Sequence, residues 1–489
     1  MAKQKKKNRI FEFLGGTGLP RLSQVRPQGR QARKHWGNII IYEVIILFVF
    51  STVMLAVLSY ATLQLKVIRS SINREMAFQI AEAGTNYYQW RLSHYPDDYQ
   101  DGTGAPGPYV HDYIDRDTGQ VVGRYSLEIT PPLVGSTIVT ITSTGYTLAN
   151  PFQRRTVVTR YGVPSLAQYA FLTNSTVWIG DSESVDGRLH ANNGIRFDGT
   201  GNAPIQSARD TYTCPSSQGS PCPVLQPGIW GSADQTTKNF WEYPVPTVDF
   251  STVTSDLATI KNDAQIDGIY LPPSNRQGYS LVFNNNNTVT VYRVNTLRSH
   301  ATGWDVNGNA HNEDLDYNGR GLLYTAAIPA NGLIYVEDRT WVEGTIAGRV
   351  LVAAARLPYN PSTAPSILIP NNIVYTVKDG SVSLGLIAQK DILVTYYVPN
   401  TLEVNAALIA QNGSAQRYYF PGNLKTSITI YGSIMSFGVW TWSWVNGSGV
   451  ITSGYQNTQT TYDANLLYSP PPNFPLSSSG YQQISWSSN

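Results

Sequence analysis

The chain has 489 residues, of which only 14% are charged against the ~25% of an ordinary globular protein. Its net charge of +2 hides two opposed parts: residues 1–37 hold ten Lys/Arg and one acid, Glu12, so this leader carries +9 and everything after it −7. With 31 Tyr and many Asn, Ser, Thr and Gly, the body fits an extracytoplasmic β-rich surface and is unlike a cytoplasmic enzyme.

Residues 1–37 read as a disordered basic leader interrupted by Gly15, Gly16, Gly18, Pro20 and Pro27. Basic residues ahead of an apolar span stay on the cytoplasmic side, so this tail reads as topogenic; nucleic-acid binding by the tail is the alternative, and no nucleic-acid partner is expected. Residues 38–65 follow as one apolar stretch with a single acid, Glu43. From Val44 to Leu65 there is no charge, and those 22 residues as a helix would cover ~33 Å, enough for a ~30 Å hydrocarbon core. A cleaved signal peptide has an apolar core of ~7–15 residues before a small-residue site. This core is longer, and residues 66–74 offer no such site. The expectation is a retained single-pass transmembrane helix, N-terminus cytoplasmic, with everything downstream extracytoplasmic at the cell surface.

Residues 66–163 predict a helix feeding a small antiparallel sheet. Ile68, Ile72, Met76 and Ile80 recur at four-residue spacing, with Ala77, Ala81 and Gly84 on an adjoining face, to about Leu92. Residues 97–107 are a Gly/Pro/Asp loop. Residues 125–130, 136–143 and 155–160 alternate apolar and polar, as half-buried strands do.

Residues 164–489 predict a large β-rich domain. A short motif recurs in Gly187-Arg-Leu-His-Ala191, Gly344-Thr-Ile-Ala-Gly348, Gly385-Leu-Ile-Ala-Gln389, Ala407-Leu-Ile-Ala-Gln411 and Gly432-Ser-Ile-Met-Ser436. The last four begin 41, 22 and 25 residues apart. A period of ~20–25 residues points to a parallel β-helix or other solenoid, each coil placing its aliphatic residue in an axial core. An ordinary sandwich is the alternative. Long loops are expected to interrupt the repeat over residues 190–320. The end is Pro-rich (Pro470, Pro471, Pro472, Pro475), which favours an extended strap over a paired strand. Leu466, Leu467, Tyr468, Phe474 and Trp486 would hold it against the domain. The fold class is thus mainly β with a long N-terminal helix.

Candidate chemistry is sparse. Cys214 and Cys222 close a short Pro/Gly/Ser loop and read as a disulfide; two free thiols are the alternative, and zinc would have half a ligand set. The six His form no metal-binding pair, and no nucleotide loop or nucleophile elbow is present. His190, inside a repeat motif, reads as packing at a coil corner. Glu337, Asp338 and Glu343 are the acids a β-helix enzyme acting on polysaccharide would use, although exposed acids are ordinary. Asp314-Leu-Asp316-Tyr-Asn318-Gly319 matches the first half of a calcium loop, with Asp305, Asn307 and Asn309 nearby. Thr325 stands where the bidentate Glu belongs, so the choice is Ca²⁺ or a plain Asx-rich turn. Trp440, Trp442 and Trp444 alternate, which on one strand would put three rings on one side, either buried or as a binding face with Tyr396, Tyr397, Tyr418 and Tyr419.

The Gly, the near-uncharged span with its early Glu and the long helix resemble type IV pilin-like subunits. Glu75-Met-Ala-Phe-Gln-Ile-Ala-Glu-Ala-Gly84 is similar to the helix of PilX-type minor pilins and their relatives. The repeats resemble the β-helix of bactofilins more loosely. The resemblance implies prepilin-peptidase cleavage between Gly37 and Asn38, and a Glu43 that neutralises the new α-amine of a neighbouring subunit. The sequence departs from the pattern in placing Glu43 sixth after that cut instead of fifth. The implied role is structural or adhesive, not enzymatic, in a type IV pilus-like assembly. Its partners would be the membrane, other pilin-like subunits or the assembly machinery, and a host or neighbouring cell surface. A membrane-tethered glycan enzyme and a surface-layer protein are the alternatives.

Overall fold

The computed structural model describes residues 37–250, 252–446, 450–477 and 480–489; the leader read from residues 1–36 lies outside them. The chain divides into two compact units, Met1–Ser71 and Ile72–Asn489, and one α-helix, Gly37–His94, contributes to both. Every residue from Ile39 to Ile72 is exposed, and the helix is long and apolar enough to cross a membrane. Hydrating such a surface is unfavourable by roughly 25 cal/mol per Å². Ile68 and Ile72, expected on a packing face, are among the exposed residues.

In the second unit, helical packing begins at Met76. Ala77, Ile80, Ala81, Tyr88 and Leu92 are buried against a five-stranded antiparallel sheet. Its strands run in the order Tyr109–Ile114, Val121–Thr130, Val139–Thr147, Asn150–Gly162 and Gln482–Ser488. Small residues set the separation. A Cβ on Gly145 would come within 2.3 Å of Ala77 O and 2.4 Å of Ala81 N, so the strand lies directly on the helix backbone. The sequence motif Ala77, Ala81, Gly84 is therefore a packing device. Arg91 fastens the following loop through Asp98, while Tyr87 and His111 both bond Asp101, at 3.0 and 2.7 Å.

The large β region is wound from parallel strands in a solenoid-like arrangement. One ladder runs through Ile269, Ile334, Val352, Leu386, Leu408, Ile434, Phe171, Leu189, Ile205 and Trp241, each paired in register with the next. These residues point inward to one continuous core. A second parallel ladder joins Ile367–Ile369, Ile392–Val394, Ala415–Arg417 and Trp440–Thr441. A third joins Ile373–Tyr375, Thr401–Ala410, Leu424–Ser436, Ile451–Tyr462, Ser184–Asp186 and Thr200–Gly201.

The chain joins the first ladder in its middle. It enters at Phe171–Thr173 and winds to one end at Trp241–Glu242. The helix Thr252–Asp267 then carries it to the opposite end, where Ile269–Leu271 starts the return. The last coil, Leu424–Ser436, pairs with the first, Phe171–Thr173. Leu257, Ile260 and Ala264 of the crossing helix cover the outward row of the ladder, which includes Tyr335, Ala353, Ile387, Ile409, Met435 and Leu172. Residues 190–320, expected as loops, thus hold coils and a helix.

The Pro-rich strap lies between sheet and coils. Ser165 Oγ donates to Leu466 O (2.6 Å), and Arg349 donates to Gly135 O (2.5 Å), Ser469 O (2.8 Å) and Gly380 O (2.9 Å). Residues 482–488 then return to the sheet beside 157–162.

The repeat motif is only partly in register. Gly385 pairs with Ala407, as the spacing requires, but Ala407 pairs with Ser433 and not Gly432. Gly344 lies outside this ladder, pairing with Ile373 at the start of the second half of Thr340–Ile346, whose first half pairs with a different strand. Gly432 and Gly344 share another property: φ of +148° and +114° at corners where the chain passes from one ladder to the next. A Cβ on Gly432 would come within 2.0 Å of Ala406 O in the neighbouring coil.

Gly432→Ala should therefore cost about 1–3 kcal/mol or more, seen as a clear fall in melting temperature. Gly422→Ala, at φ +70° with open space around the added methyl, should cost less. Equal shifts for the two variants would refute a steric requirement for glycine at the corner.

Candidate functional site

Gly37 and Asn38 are the first residues of the long helix, and Glu43 is the one acid in its exposed apolar stretch up to Leu65. Cys214 and Cys222 form a disulfide, with Cα atoms 5.5 Å apart. The enclosed loop is seated through Gln218, which donates from Nε2 to Val177 O (2.8 Å) and accepts from Tyr212 Oη (2.6 Å). Arg196 lies over the rings of Trp178 and Trp230, at 4.5 and 4.9 Å, and donates to Gln218 O in the same loop.

The candidate calcium oxygens belong to an insertion, residues 295–320, that lies on the second ladder. Asp314 is buried, accepting from the backbone N–H groups of Tyr396 (3.1 Å) and Tyr397 (3.2 Å) and pairing with His300 Nε2 (3.2 Å). Asp316 accepts from Thr296 Oγ1 (2.8 Å) and from Asn318 N (3.1 Å), and Asn318 is exposed. The carboxylates thus have protein donors as partners, and the buried and exposed oxygens are separated. Among the described residues, no group of three or more His, Cys, Asp or Glu side chains is placed to hold a metal ion. Asp305 likewise accepts from the N–H groups of Asn307 and Asn309.

Two stacked pairs fasten this insertion. His300 stacks on Tyr396 (5.2 Å) and His311 on Tyr418 (4.2 Å). His311 also faces Asp305 (3.1 Å) and Glu313 (3.7 Å), with Arg339 3.9 Å from Glu313. The Glu313 carboxylate, helped by Asp305 against burial, holds His311 above its ordinary value. Burial opposes ionisation of Glu313, but His311 and Arg339 hold its carboxyl below the ordinary range. Burial likewise opposes ionisation of Asp305, whose hydrogen bonds with Asn309 and His311 bring it below the usual range.

The three acids of the glycan-enzyme alternative all have partners: Glu337 pairs with Lys261, Asp338 accepts from Ser274 Oγ (2.6 Å), and Glu343 accepts from Tyr317 Oη (2.9 Å). The three Trp do not share a strand face. Trp442 is buried at a break between Trp440–Thr441 and Ser443–Val445, and Trp444 Nε1 donates to Arg417 O (2.8 Å).

A feature that sequence reasoning missed lies at the C-terminal ends of the first ladder's strands. Gln411, Phe437, Asn174 and Asn192 occupy the same corner in four successive coils, each donating its backbone N–H to the preceding coil. Residues 247–250 pass over this row. Asn192 holds them by accepting from Val248 N (2.8 Å) and donating to Val248 O (2.7 Å). Its Oδ1 also bonds His190 Nε2 (2.9 Å), so His190, lowered by burial, is a packed corner residue. Between row and crossing strand is a cavity of about 510 Å³. The polar residue that ends the repeat motif, Gln389 and Gln411, is the one sequence signal that marks this corner.

No protein-family model matches the chain, and no curated protein matches it. Among solved structures it is similar to the competence-associated pilin ComZ from Thermus thermophilus, at 14% identity and a TM-score of 0.29, over 85% of this chain and 97% of that one. At that score the likeness supports no inference about role.

The His311 cluster makes a pH prediction. A group held above its ordinary value near 6.5 stabilises the fold fully below that value and less as pH rises through the raised one. Asp305 and Glu313, held low, stabilise it above their ordinary values of 3.8 and 4.5 and less as pH falls through the depressed ones. The stability advantage of the native chain over His311→Gln should be largest between roughly pH 4.5 and 6.5 and shrink towards pH 8. Melting curves across that range check it; an advantage that grows with pH would contradict it.

Proposed function

We propose that this chain is a membrane-anchored, pilin-like structural subunit that displays a β-solenoid domain outside the cell, in the manner of PilX-type minor pilins. The observation that carries this role is the helix Gly37–His94: exposed and apolar from Ile39 to Leu65, then packed through Ala77, Ala81 and Gly84 against an antiparallel sheet. The first part has the length and composition to sit in lipid or among like helices, and the second carries the cargo. The ten Lys/Arg ahead of it favour a cytoplasmic N-terminus. The disulfide suits an oxidising compartment outside the cytoplasm.

In this role Glu43 is the assembly residue. Glu43 sits at the N-terminal edge of the apolar stretch, and a carboxylate drawn there from water towards lipid is stabilised by a cationic partner such as the α-amine of a neighbouring helix. The partners are thus the membrane and other pilin-like subunits or the assembly machinery, and the task is architectural instead of catalytic.

Fractionation and crosslinking of the native chain test this. It should be found in membranes, lose its large domain to protease added outside the cell, and form crosslinked oligomers that Glu43→Gln reduces without releasing the chain. A native mass starting at Asn38 would add peptidase processing to this role, whereas an intact leader would make the helix a plain anchor. Recovery of the chain in the soluble fraction would overturn the proposal.

A further inference from the structure

The geometry points to the 510 Å³ cavity at the corner of the first ladder as a binding site for a neutral saccharide. Its volume lies within the ~300–1,000 Å³ of small-molecule sites. It is built from the fold itself, because successive coils place Gln411, Phe437, Asn174 and Asn192 in one row and residues 247–250 cross over them.

The lining selects the ligand. Asn174 accepts from Asn192 Nδ2 (2.9 Å) through its Oδ1, which leaves its own NH₂ group as a donor facing the cavity row. Asn412 donates from Nδ2 to Gln389 O (2.9 Å), which leaves its Oδ1 as an acceptor. Asp249 adds a carboxylate to the same lining. Phe250 and Phe437 stand edge to face with centroids 6.0 Å apart, and Phe437 is 42% exposed. A pyranose needs this combination: amide groups for hydroxyls that both donate and accept, and aromatic surface for its C–H faces.

Other ligand classes fit less well. Among the described residues, no Lys, Arg or His lines the cavity, and Asp249 is acidic, so a phosphate or uronate would lack a counter-charge. A purely apolar ligand would strip water from the amides without replacing their hydrogen bonds. The segment that crosses the row is clamped, since Asn192 bonds both backbone groups of Val248, so this wall of the site is held before a ligand arrives. This site does not depend on the anchored-subunit role, and an intramembrane partner has no bearing on it.

The test uses the full chain purified in a detergent without a sugar headgroup. Ligand-observed NMR and calorimetry would titrate N-acetylglucosamine and the methyl glycosides of glucose, galactose and mannose, with glucuronate and inorganic phosphate as anionic comparators. At least one neutral sugar should bind saturably. Asn174→Asp keeps the acceptor for Asn192 but replaces the donor with a second, negatively charged acceptor, and Phe437→Ala truncates a half-exposed ring. Either should weaken that binding about tenfold while the circular dichroism stays that of the folded chain. No saturable binding by any neutral sugar, binding unaltered in both variants, or binding of the anions alone would overturn the assignment. Because the readout is binding by the isolated chain, it stands or falls apart from any failure to assemble in membranes.

Discussion

The pairing of Ile434 with Phe171 is the contact on which the large domain depends. A parallel strand cannot leave its N–H and C=O groups unpaired inside a stack, so each coil must find a neighbour on both sides or form an end. Here the first and last coils supply each other's missing side. Without that pairing, residues 165–245 and 269–467 would be two short stacks, each with a raw edge in what is now the middle of one core. The aliphatic row from Ile269 to Trp241 is continuous only because the two halves meet there.

That closure has a steric counterpart at the corners. Close spacing of parallel coils leaves no room where the backbone turns from one ladder to the next, so Gly432 takes a left-handed conformation against Ala406 O. The same economy acts at the small sheet, where Gly145 lets a strand lie on the backbone of Ala77 and Ala81. Glycine and alanine set the distances in both halves of the second unit, and the larger aliphatic residues fill the interiors those distances define.

Much of this arrangement was legible from local chemistry, and the remainder was hidden for definite reasons. The apolar helix announces itself because 22 consecutive uncharged, mostly apolar residues are too long a run for a surface helix of a water-soluble domain. The coils are harder to read, since insertions such as Thr252–Asp267 and residues 295–320 fall between them and break the period. The crossing helix carries Leu257, Ile260 and Ala264 at helical spacing, but Thr, Asp and Asn around them dilute the pattern. The strand Gln482–Ser488 shows no alternation because it is an edge strand with little burial on either face. The corner cavity is the least legible, as its residues come from positions 174, 192, 249 and 412, which only the winding brings together.

The chain leaves the five-stranded sheet at Gly162 and rejoins it at Gln482, on neighbouring strands. Ser165 and Leu466 touch where the coils begin and end. The solenoid is therefore a graft spliced between two adjacent strands of a smaller sheet. Because Thr252–Asp267 spans the stack from one end to the other, a coil added at either tip would have to lengthen that crossing, so the reach of the solenoid is tied to a single connection.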